Sequence, residues 1–313
     1  MSLMSLFKYR IVTAFLVVVL ISAISFTTVT DAKNSASINH LDSKNLLPEW
    51  QLVEKEIGRT GVMKPDEIFY ISLPRNDLKV TVKGTPIRTG LALGGWVAFK
   101  KIDSQVMIMG DLVLTEEEIQ PVMSELFKQG LQVSALHNHL LGETPRIMYL
   151  HIHGQGNPVQ LAKAISSGLQ LTKIPKSITG ESVSFPIDKE KLDKIFRNKG
   201  TVTNGVYHVG IPRLEKIMEN GMEIPPAMGV ATLIHIQPTE NGRVAITGDF
   251  VLTADEVNPV ARALRKHGIE VTALHNHMLT ENPRLFFLHF WANDEPFKLA
   301  NALREALNKT HSM

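Results

Sequence analysis

The 313-residue chain contains no cysteine. This absence excludes a disulfide framework, a thiolate zinc site, a cysteine nucleophile and a lipid anchor attached through cysteine. Net charge is also small, because 33 basic and 31 acidic residues leave a formal charge of +2. Such a balance provides no strongly basic surface, so we expect no nucleic-acid partner. Histidine, at 12 residues, is the abundant reactive side chain.

Apolar residues are nearly unbroken over residues 11–24, just after Lys8 and Arg10. This run of fourteen residues is shorter than the roughly twenty that span a bilayer, so it favours a secretory signal over a retained membrane anchor. We assign residues 1–32 to a signal peptide and expect the polar residues 33–45 to be disordered. The mature protein is then expected to be secreted, either to the extracellular medium or to the periplasm or cell wall. Its partner would be an extracellular or cell-wall ligand, and no stable membrane anchor remains.

The rest of the sequence is one unit that occurs twice at an offset of 138 residues. Aligned without a gap, residues 110–158 and 248–296 are identical at 24 of 49 positions, which chance does not produce. This self-similarity predicts two homologous halves: repeat 1 over residues 46–172 and repeat 2 over residues 187–310. The segment between them, 173–186, contains proline, glycine, serine and threonine and is assigned as a linker.

Hydrophobic periodicity predicts the same element order in each half. In repeat 1, short strands are expected at 68–73, 78–82 and 93–99, and a longer one at 106–114. Thr115 and Glu118 have the spacing of a capping box for a helix over 115–129. Two strands over 131–139 and 146–153 follow, and Pro158 begins a second helix. The β-α-β-β-α order predicts an α+β fold with a largely antiparallel sheet and helices on one face of it in each repeat.

Six histidines occur at identical spacing in the two halves, and these are His137, His139, His151, His275, His277 and His289. Strand alternation would put them on the sheet face that the helices leave free, with Leu136, Met148, Leu150 and Ile152 on the other. A turn near residues 141–145 would bring the three imidazoles of one repeat beside one another, close enough to share one ion. Imidazole binds divalent transition metals, of which we expect zinc. The alternative is a set of core or interface histidines held by hydrogen bonds.

Three further side chains of repeat 1 are candidates for catalysis. Asp111 would act as a general base or accept the N–H of a ligand ring, or else would stabilise a turn. Glu143 could add a carboxylate ligand, and Arg146 could bind an anion or pair with Glu143 instead. Repeat 1 also has His153 where repeat 2 has Trp291. A working site is therefore expected in repeat 1, with two sites or one degenerate copy left open.

The most specific motifs of repeat 1 are Met109-Gly110-Asp111-Leu112-Val113-Leu114, Ala135-Leu136-His137-Asn138-His139, Pro145-Arg146 and Leu150-His151. Together they resemble the LppY/LpqO family of bacterial exported proteins, over essentially the whole mature chain. The resemblance implies the same duplicated unit and export from the cytoplasm. Mycobacterial members are lipoproteins, whereas this chain lacks the cysteine that carries the lipid, so a soluble secreted form is implied. The resemblance implies no particular activity.

Two classes of function stay open, and the sequence does not decide whether the protein is an enzyme. One is a metal-dependent hydrolase acting on a cell-envelope or extracellular substrate. The other is a non-catalytic exported protein that binds a metal or a wall polymer. Three ligands and an open position would favour the enzyme, and four closed ligands would favour binding. A double cupin is a third interpretation of the His-x-His-x3-Glu spacing, but the helix expected directly before this strand opposes it.

The signal-peptide assignment predicts that the mature protein begins near Lys33 and carries no lipid. N-terminal sequencing of material recovered outside the cytoplasmic membrane tests this. A chain that retains Met1 in the membrane fraction would contradict the assignment.

Overall fold

The structure, a computed structural model, describes residues 47–176 and 183–313. The predicted signal peptide at 1–32, the predicted disordered segment at 33–45 and residues 177–182 of the predicted linker lie outside the described residues. Over the two described ranges, no helix combines the length and apolar character needed to cross a membrane.

Repeat 1 forms a six-stranded antiparallel sheet with helices packed on one face. Its helices are α1 (Pro48–Ile57), α2 (Thr89–Ala92), α3 (Glu116–Lys128) and α4 (Pro158–Leu169). Its strands are β1 (Val62–Lys64), β2 (Ile68–Pro74), β3 (Val80–Val82), β4 (Thr85–Ile87), β5 (Gly94–Ile102), β6 (Gln105–Thr115), β7 (Gln132–His137), β8 (Glu143–Thr144) and β9 (Ile147–Gly156). The sheet order is β1-β2-β5-β6-β9-β7, and β4-β3-β8 form a separate small sheet. Helices α1, α3 and α4 supply apolar side chains to the core on one side of the large sheet.

Repeat 2 has the same architecture. Its helices are α5 (Lys189–Phe196), α6 (Ala254–Lys266) and α7 (Pro296–Leu307). Its strands are β10 (Thr201–Thr203), β11 (Val206–Pro212), β12 (Ile217–Glu219), β13 (Met222–Ile224), β14 (Ala231–Pro238), β15 (Val244–Leu252), β16 (Glu270–His275) and β17 (Phe286–Asp294). The large sheet has the order β10-β11-β14-β15-β17-β16, and β12 pairs with β13 as a hairpin. The predicted α+β fold of two homologous repeats is thus confirmed.

The details of the histidine-bearing strand differ from the expectation. The strand predicted over 131–139 ends at His137, and His139 lies beyond it. Across the β7–β9 pair, His137 lies opposite Tyr149, whereas His151 lies opposite Ala135. A register irregularity between Val133 and Ala135 accompanies this pairing. The histidine rings nevertheless remain on one face, because positions 135, 137, 149 and 151 are separated by even steps.

The other face of β7 and β9 is only partly buried. Met148, Leu150 and Ile152 pack on the helix side as expected. Leu136 does not, because β7 is the edge strand of the sheet and leaves this side chain 41% exposed.

A buried arginine fixes the start of α3 against the sheet. Arg75, which follows β2, donates to the carbonyl of Val113 in β6 and to the carboxylate of Glu118. Glu118 also accepts a hydrogen bond from the backbone N–H of Thr115, so the predicted capping box is present. Repeat 2 contains the same arrangement around Arg213. These buried pairs explain why the sequence Pro74-Arg75 of repeat 1 recurs as Pro212-Arg213 in repeat 2.

The helix-free faces of the two large sheets pack against each other. In one mixed cluster, Ile217 and Ile224 of the β12–β13 hairpin join Met107 and Met109 of β6. In the other, Val80 and Val82 of β3 join Val206, Ala245 and Trp291 of repeat 2. Each repeat therefore covers the sheet of the other with its own hairpin, and every fully buried apolar side chain contributes about 1.5 to 3 kcal/mol. The sheet faces that carry the histidines are consequently in contact.

Reciprocal hydrogen bonds join the repeats at the histidine segments. The Ser134 hydroxyl donates to the carbonyl of His277, and the Thr272 hydroxyl donates to the carbonyl of His139, each at 2.5 Å. Asn138 donates its side-chain amide to the carbonyl of Thr272, and its counterpart in repeat 2 does the same to Ser134. The repeated Ser/Thr-Ala-Leu-His-Asn-His sequence thus holds the two halves together.

Removing one of these hydroxyls should weaken the union of the repeats. We expect Ser134→Ala and Thr272→Val each to lower the free energy of unfolding by about 1 kcal/mol, because a backbone carbonyl loses its donor. Ser167→Ala is the matched control, since that hydroxyl bonds to the Lys163 carbonyl in the exposed surface of α4. Urea unfolding measures the three values. Equal losses for the control and for the two interface variants would contradict the assigned role.

Candidate metal centre

The six predicted histidines form one cluster at the contact between the repeats. His137 and His275, which occupy equivalent positions, stack on each other with ring centroids 3.6 Å apart. Within each repeat, the first and third histidines lie at matching distances. The centroids of His137 and His151 are 4.9 Å apart, as are those of His275 and His289. The arrangement is therefore close to two-fold symmetric, and the histidine rings of the two repeats are in direct contact.

The second histidine of each repeat is enclosed by aromatic rings from both halves. His139 stacks on Tyr149 at 3.3 Å and on His289 at 3.9 Å. His277 stacks on Phe287 at 3.4 Å and on His151 at 3.8 Å. These contacts hold the two rings in place even though His139 lies beyond the regular strand.

Backbone carbonyls determine which ring nitrogen carries the proton in repeat 2. All three rings place Nδ1 beside a carbonyl oxygen, which requires an N–H at Nδ1. The pairs are His275 with Asn276 at 3.0 Å, His277 with Gly229 at 3.2 Å and His289 with Gly248 at 2.9 Å. In a neutral imidazole of this tautomer, Nε2 presents a lone pair, which is the state in which histidine binds a metal.

Two of these lone pairs face each other. The Nε2 atoms of His275 and His289 are 2.8 Å apart. Because both rings use their Nδ1–H groups on carbonyls, no ring proton is left between the two nitrogens. A proton between them, or a metal cation bound by both nitrogens, would remove the repulsion. Burial lowers the pKa of His289 to about 3, and it also lowers the pKa of His275, so a proton is disfavoured at neutral pH.

Many buried polar atoms of the cluster have no hydrogen-bond partner. Unpaired buried polar atoms are uncommon in folded proteins and require an explanation such as a bound ion. In this cluster they are Oδ1 of Asp111, both ring nitrogens of His137, Nε2 of His139, Nε2 of His151, Oδ1 of Asp249 and Nε2 of His277. Burial is the largest cause that lowers the pKa of His137, His139, His151 and His277. The rings are therefore neutral and available as ligands.

One aspartate in each repeat reaches the cluster from within a central strand of the sheet. Asp111 of β6 lies opposite His151, and Asp249 of β15 lies opposite His289. Oδ2 of Asp249 lies 3.2 Å from Nε2 of His277, and Oδ1 lies 3.9 Å from Nε2 of His289. Oδ2 of Asp111 lies 3.7 Å from Nε2 of His139. Burial raises the pKa of Asp111 well above its usual value, and the charge of Asp249 adds to this shift. Burial also raises the pKa of Asp249. A cation at the centre would stabilise both carboxylates.

Three sets of donor atoms lie close enough to hold an ion, with all atoms of a set within 4.8 Å of one another. One set belongs to repeat 2 alone, and two combine the repeats. They are Asp249, His275, His277 and His289; His137, His139 and His289; and His137, His151 and His275. Every two of these sets share a histidine, so an ion in one of them excludes an ion in the others unless a ring bridges two metals. The geometry therefore fits one ion per chain.

This distribution differs from the expected trio of repeat 1. His137, His139 and His151 do not form a set of their own among the described residues. The expectation treated each repeat as separate, whereas the facing sheets interleave the two trios. The one set of four donors found among the described residues lies in repeat 2, although a working site was expected in repeat 1.

Glu143 and Arg146 take different places from those expected of catalytic residues. Glu143 accepts a hydrogen bond from the backbone N–H of Ile147 at 3.1 Å and so stabilises the turn. Burial raises the pKa of Glu143 to about 7, but this carboxylate belongs to none of the three donor sets. The side chain of Arg146 is 62% exposed and lies 3.9 Å from Glu116 at the start of α3. Its position gives no support to a role at the histidines.

Two polar pairs near this face were not anticipated from the sequence. His208 and His235 lie opposite each other on β11 and β14, with their Nδ1 atoms 2.8 Å apart. His153 of β9 lies 3.8 Å from the carboxylate of Glu219 in β12. The partners of each pair are 27 and 66 positions apart in sequence, so only pairing and packing of the strands bring them together.

The fold and the cluster define a duplicated α+β protein with a buried, histidine-rich centre shared by its repeats. The chain belongs to the family described as Domain of Unknown Function (DUF1259), which matches residues 51–171 and 190–309. Among curated proteins, no sequence matches the chain at a significant level.

Solved structures give only a distant likeness. A trimeric bacterial microcompartment shell protein, PduB, aligns at 10% identity and a TM-score of 0.21, covering 81% of this chain and 91% of that one. EtuB from Clostridium kluyveri aligns at 6% identity and a TM-score of 0.19, covering 79% of this chain and 87% of that one. These scores are too low to support any argument about this chain.

The His208–His235 pair should make stability depend on pH. Burial lowers the pKa of His208 to about 4 and that of His235 to about 3. Between pH 6.5 and these values the unfolded chain binds protons that the folded chain excludes, so stability falls as pH falls. In this pH range, each of the two histidines lowers the free energy of unfolding by up to about 1.4 kcal/mol for every unit by which the pH falls.

A variant that copies repeat 1 isolates this effect. Tyr70 and Ala98, which pair across β2 and β5, occupy the equivalent positions. Between pH 7 and pH 5, the free energy of unfolding should fall in both proteins. We expect this fall to be roughly 2 to 4 kcal/mol smaller in the His208→Tyr, His235→Ala double variant than in the parent protein. Urea unfolding of metal-free protein at the two pH values gives the difference. Identical losses in parent and variant would show that this pair does not titrate as described.

Proposed function

We propose that this protein binds one divalent transition metal ion in the histidine cluster at the contact between its two repeats, with His275 or His289 among the ligands. The observation that carries the proposal is the 2.8 Å approach of the Nε2 atoms of His275 and His289. Their Nδ1–H groups are engaged by the carbonyls of Asn276 and Gly248. Two bare lone pairs at this distance repel unless both nitrogens bind a shared cation.

The donor chemistry supports a borderline transition metal, with zinc as the first candidate. The donors are imidazole nitrogens and one or two carboxylates, and no thiolate is available in this cysteine-free chain. Calcium and magnesium prefer all-oxygen ligand sets, whereas imidazole suits zinc, copper, nickel and iron. Asp249, with its raised pKa, would be the carboxylate ligand of the repeat 2 set.

Holding a metal, rather than hydrolysis, is the role that the ligand arrangement favours. The repeat 2 set already offers four donor atoms, three of them from residues that are buried. A closed set of four ligands is typical of structural or storage sites, whereas hydrolytic sites keep a position open for water.

A metal-dependent hydrolase is the second candidate, and a cleft beside the centre supports it. The cleft has a volume of about 300 Å³ and is lined by His277 together with mainly polar residues. A water molecule reaching an ion through this cleft would be activated, and Asp111 or Asp249 would accept its proton. Metal-loaded protein that cleaves 4-nitrophenyl acetate faster than metal-free protein would favour the hydrolase.

The site of action that we propose is outside the cytoplasmic membrane. The support comes from the short apolar run at residues 11–24 and its basic flank. Membership of the LppY/LpqO group of exported proteins is part of this proposal and rests on the repeated motifs. A cell-wall or extracellular ligand would then be the partner.

Metal content of protein purified without a histidine tag tests the proposed function. We expect about one zinc or similar ion per chain by elemental mass spectrometry. His275→Ala combined with His289→Ala should reduce the content at least tenfold, because every one of the three donor sets contains one of these two residues or both.

His267→Ala is the matched control. This ring pairs with Glu305 at 2.7 Å on the outer surface of α6 and α7, away from the centre. Its removal should leave the metal content unchanged. A parent protein that binds no divalent transition metal at micromolar concentration would contradict the proposal and leave the histidines with a structural role.

A further inference from the structure

The polar cleft beside the histidine cluster contains an imidazole and a carboxylate, two groups that commonly bind metals, and this pair occurs on one side of the molecule only. His153 comes from repeat 1 and Glu219 from repeat 2, and their side chains are only 14% and 6% exposed. Nε2 of His153 and Oε2 of Glu219 are both buried and without a hydrogen-bond partner. They are 3.8 Å apart, which is too far for a hydrogen bond between them.

This separation fits two ligands of one ion. Zinc lies about 2.0 to 2.2 Å from an imidazole nitrogen or a carboxylate oxygen, so two ligands of one ion are separated by at most about 4.3 Å. Asn220 and Thr280 add polar atoms to the same cleft, and the Thr280 hydroxyl lies 3.4 Å from the other oxygen of Glu219. Two protein ligands leave the remaining positions to water, so an ion here would be held weakly.

The opposite side of the molecule lacks this pair. Trp291 occupies the position equivalent to His153, and Val82 occupies the position equivalent to Glu219 in the β3–β4 hairpin. Trp291 and Val82 pack together in an apolar cluster. The symmetry of the fold is therefore broken at one place, where polar ligands replace a filled apolar contact.

The pair also lies next to the buried centre. His153 is two residues from His151 on the same face of β9, a step of about 7 Å along the strand. The ring of His151 stacks on His277, and His277 lines the cleft that contains His153 and Glu219. His153 and Glu219 in the cleft are therefore close to His277 and His151, which belong to the buried donor sets.

We propose that His153 and Glu219 form an outer site that captures a divalent transition metal ion and passes it to the buried centre. The inference rests on the proposed function of that centre. A buried set of ligands exchanges ions slowly unless a path leads to it. The outer site, which holds its ion weakly, provides this path on one side of the molecule.

Metal binding and uptake measured on the full chain with Co²⁺ test the proposal. Titration calorimetry of the parent protein should give one tight and one weaker ion, and the visible absorption of bound Co²⁺ follows the rate of loading. Glu219→Gln, which preserves shape, and His153→Ala should each remove the weaker ion and slow loading at least tenfold. The tight ion should remain, and His267→Ala should match the parent protein.

The other outcomes separate the two proposals. Unchanged weak binding and unchanged loading in both variants would overturn the outer site while leaving the buried centre intact. Loss of only the tight ion in the His275→Ala, His289→Ala double variant, with the weak ion retained, would support both sites. A parent protein that binds only the ion lost in Glu219→Gln would support the outer site and contradict the buried centre, and no binding at all would overturn both.

Discussion

The burial of six neutral imidazoles between two facing sheets is the constraint on which the rest of the structure depends. Each sheet packs its helices on one face and presents histidines on the other, so the contact of the free faces removes these rings from water. Burial disfavours their charged forms, and their unpaired nitrogens then need a partner. A cation held in the cluster would meet this need, and it would also offset the repulsion between the carboxylates of Asp111 and Asp249.

The repeated sequence is explained by this contact rather than by two separate sites. Ser134, Thr272 and the asparagine of each His-Asn-His segment bond across the repeats. The histidines beside them interleave in the same region, with His137 stacked on His275. Duplication therefore preserves an interface and its ligands together. Where symmetry is broken, at His153 and Glu219, the departure coincides with the cleft that leads to the centre.

Much of the fold could be predicted from the sequence, because periodicity, the capping box at Thr115 and the offset of 138 residues are local or repeated signals. Strand alternation also assigned the histidines to the helix-free face. The composition of the donor sets could not be predicted, because it depends on how the two sheets are placed against each other. His289 joins His137 and His139 only after that packing. Glu219 carried no local signal, since its partner His153 is in the other repeat.

The central claim is that one ion is bound in the histidine cluster at the contact between the repeats, and its position in a crystal tests this most directly. Anomalous X-ray scattering at the absorption edge of the bound metal locates the ion among the candidate ligands. One anomalous peak should lie within about 2.0 to 2.2 Å of ligand nitrogens from the cluster, with His275 or His289 among them. Two equal peaks, each bound by the three histidines of a single repeat, or no peak within the cluster, would contradict the claim.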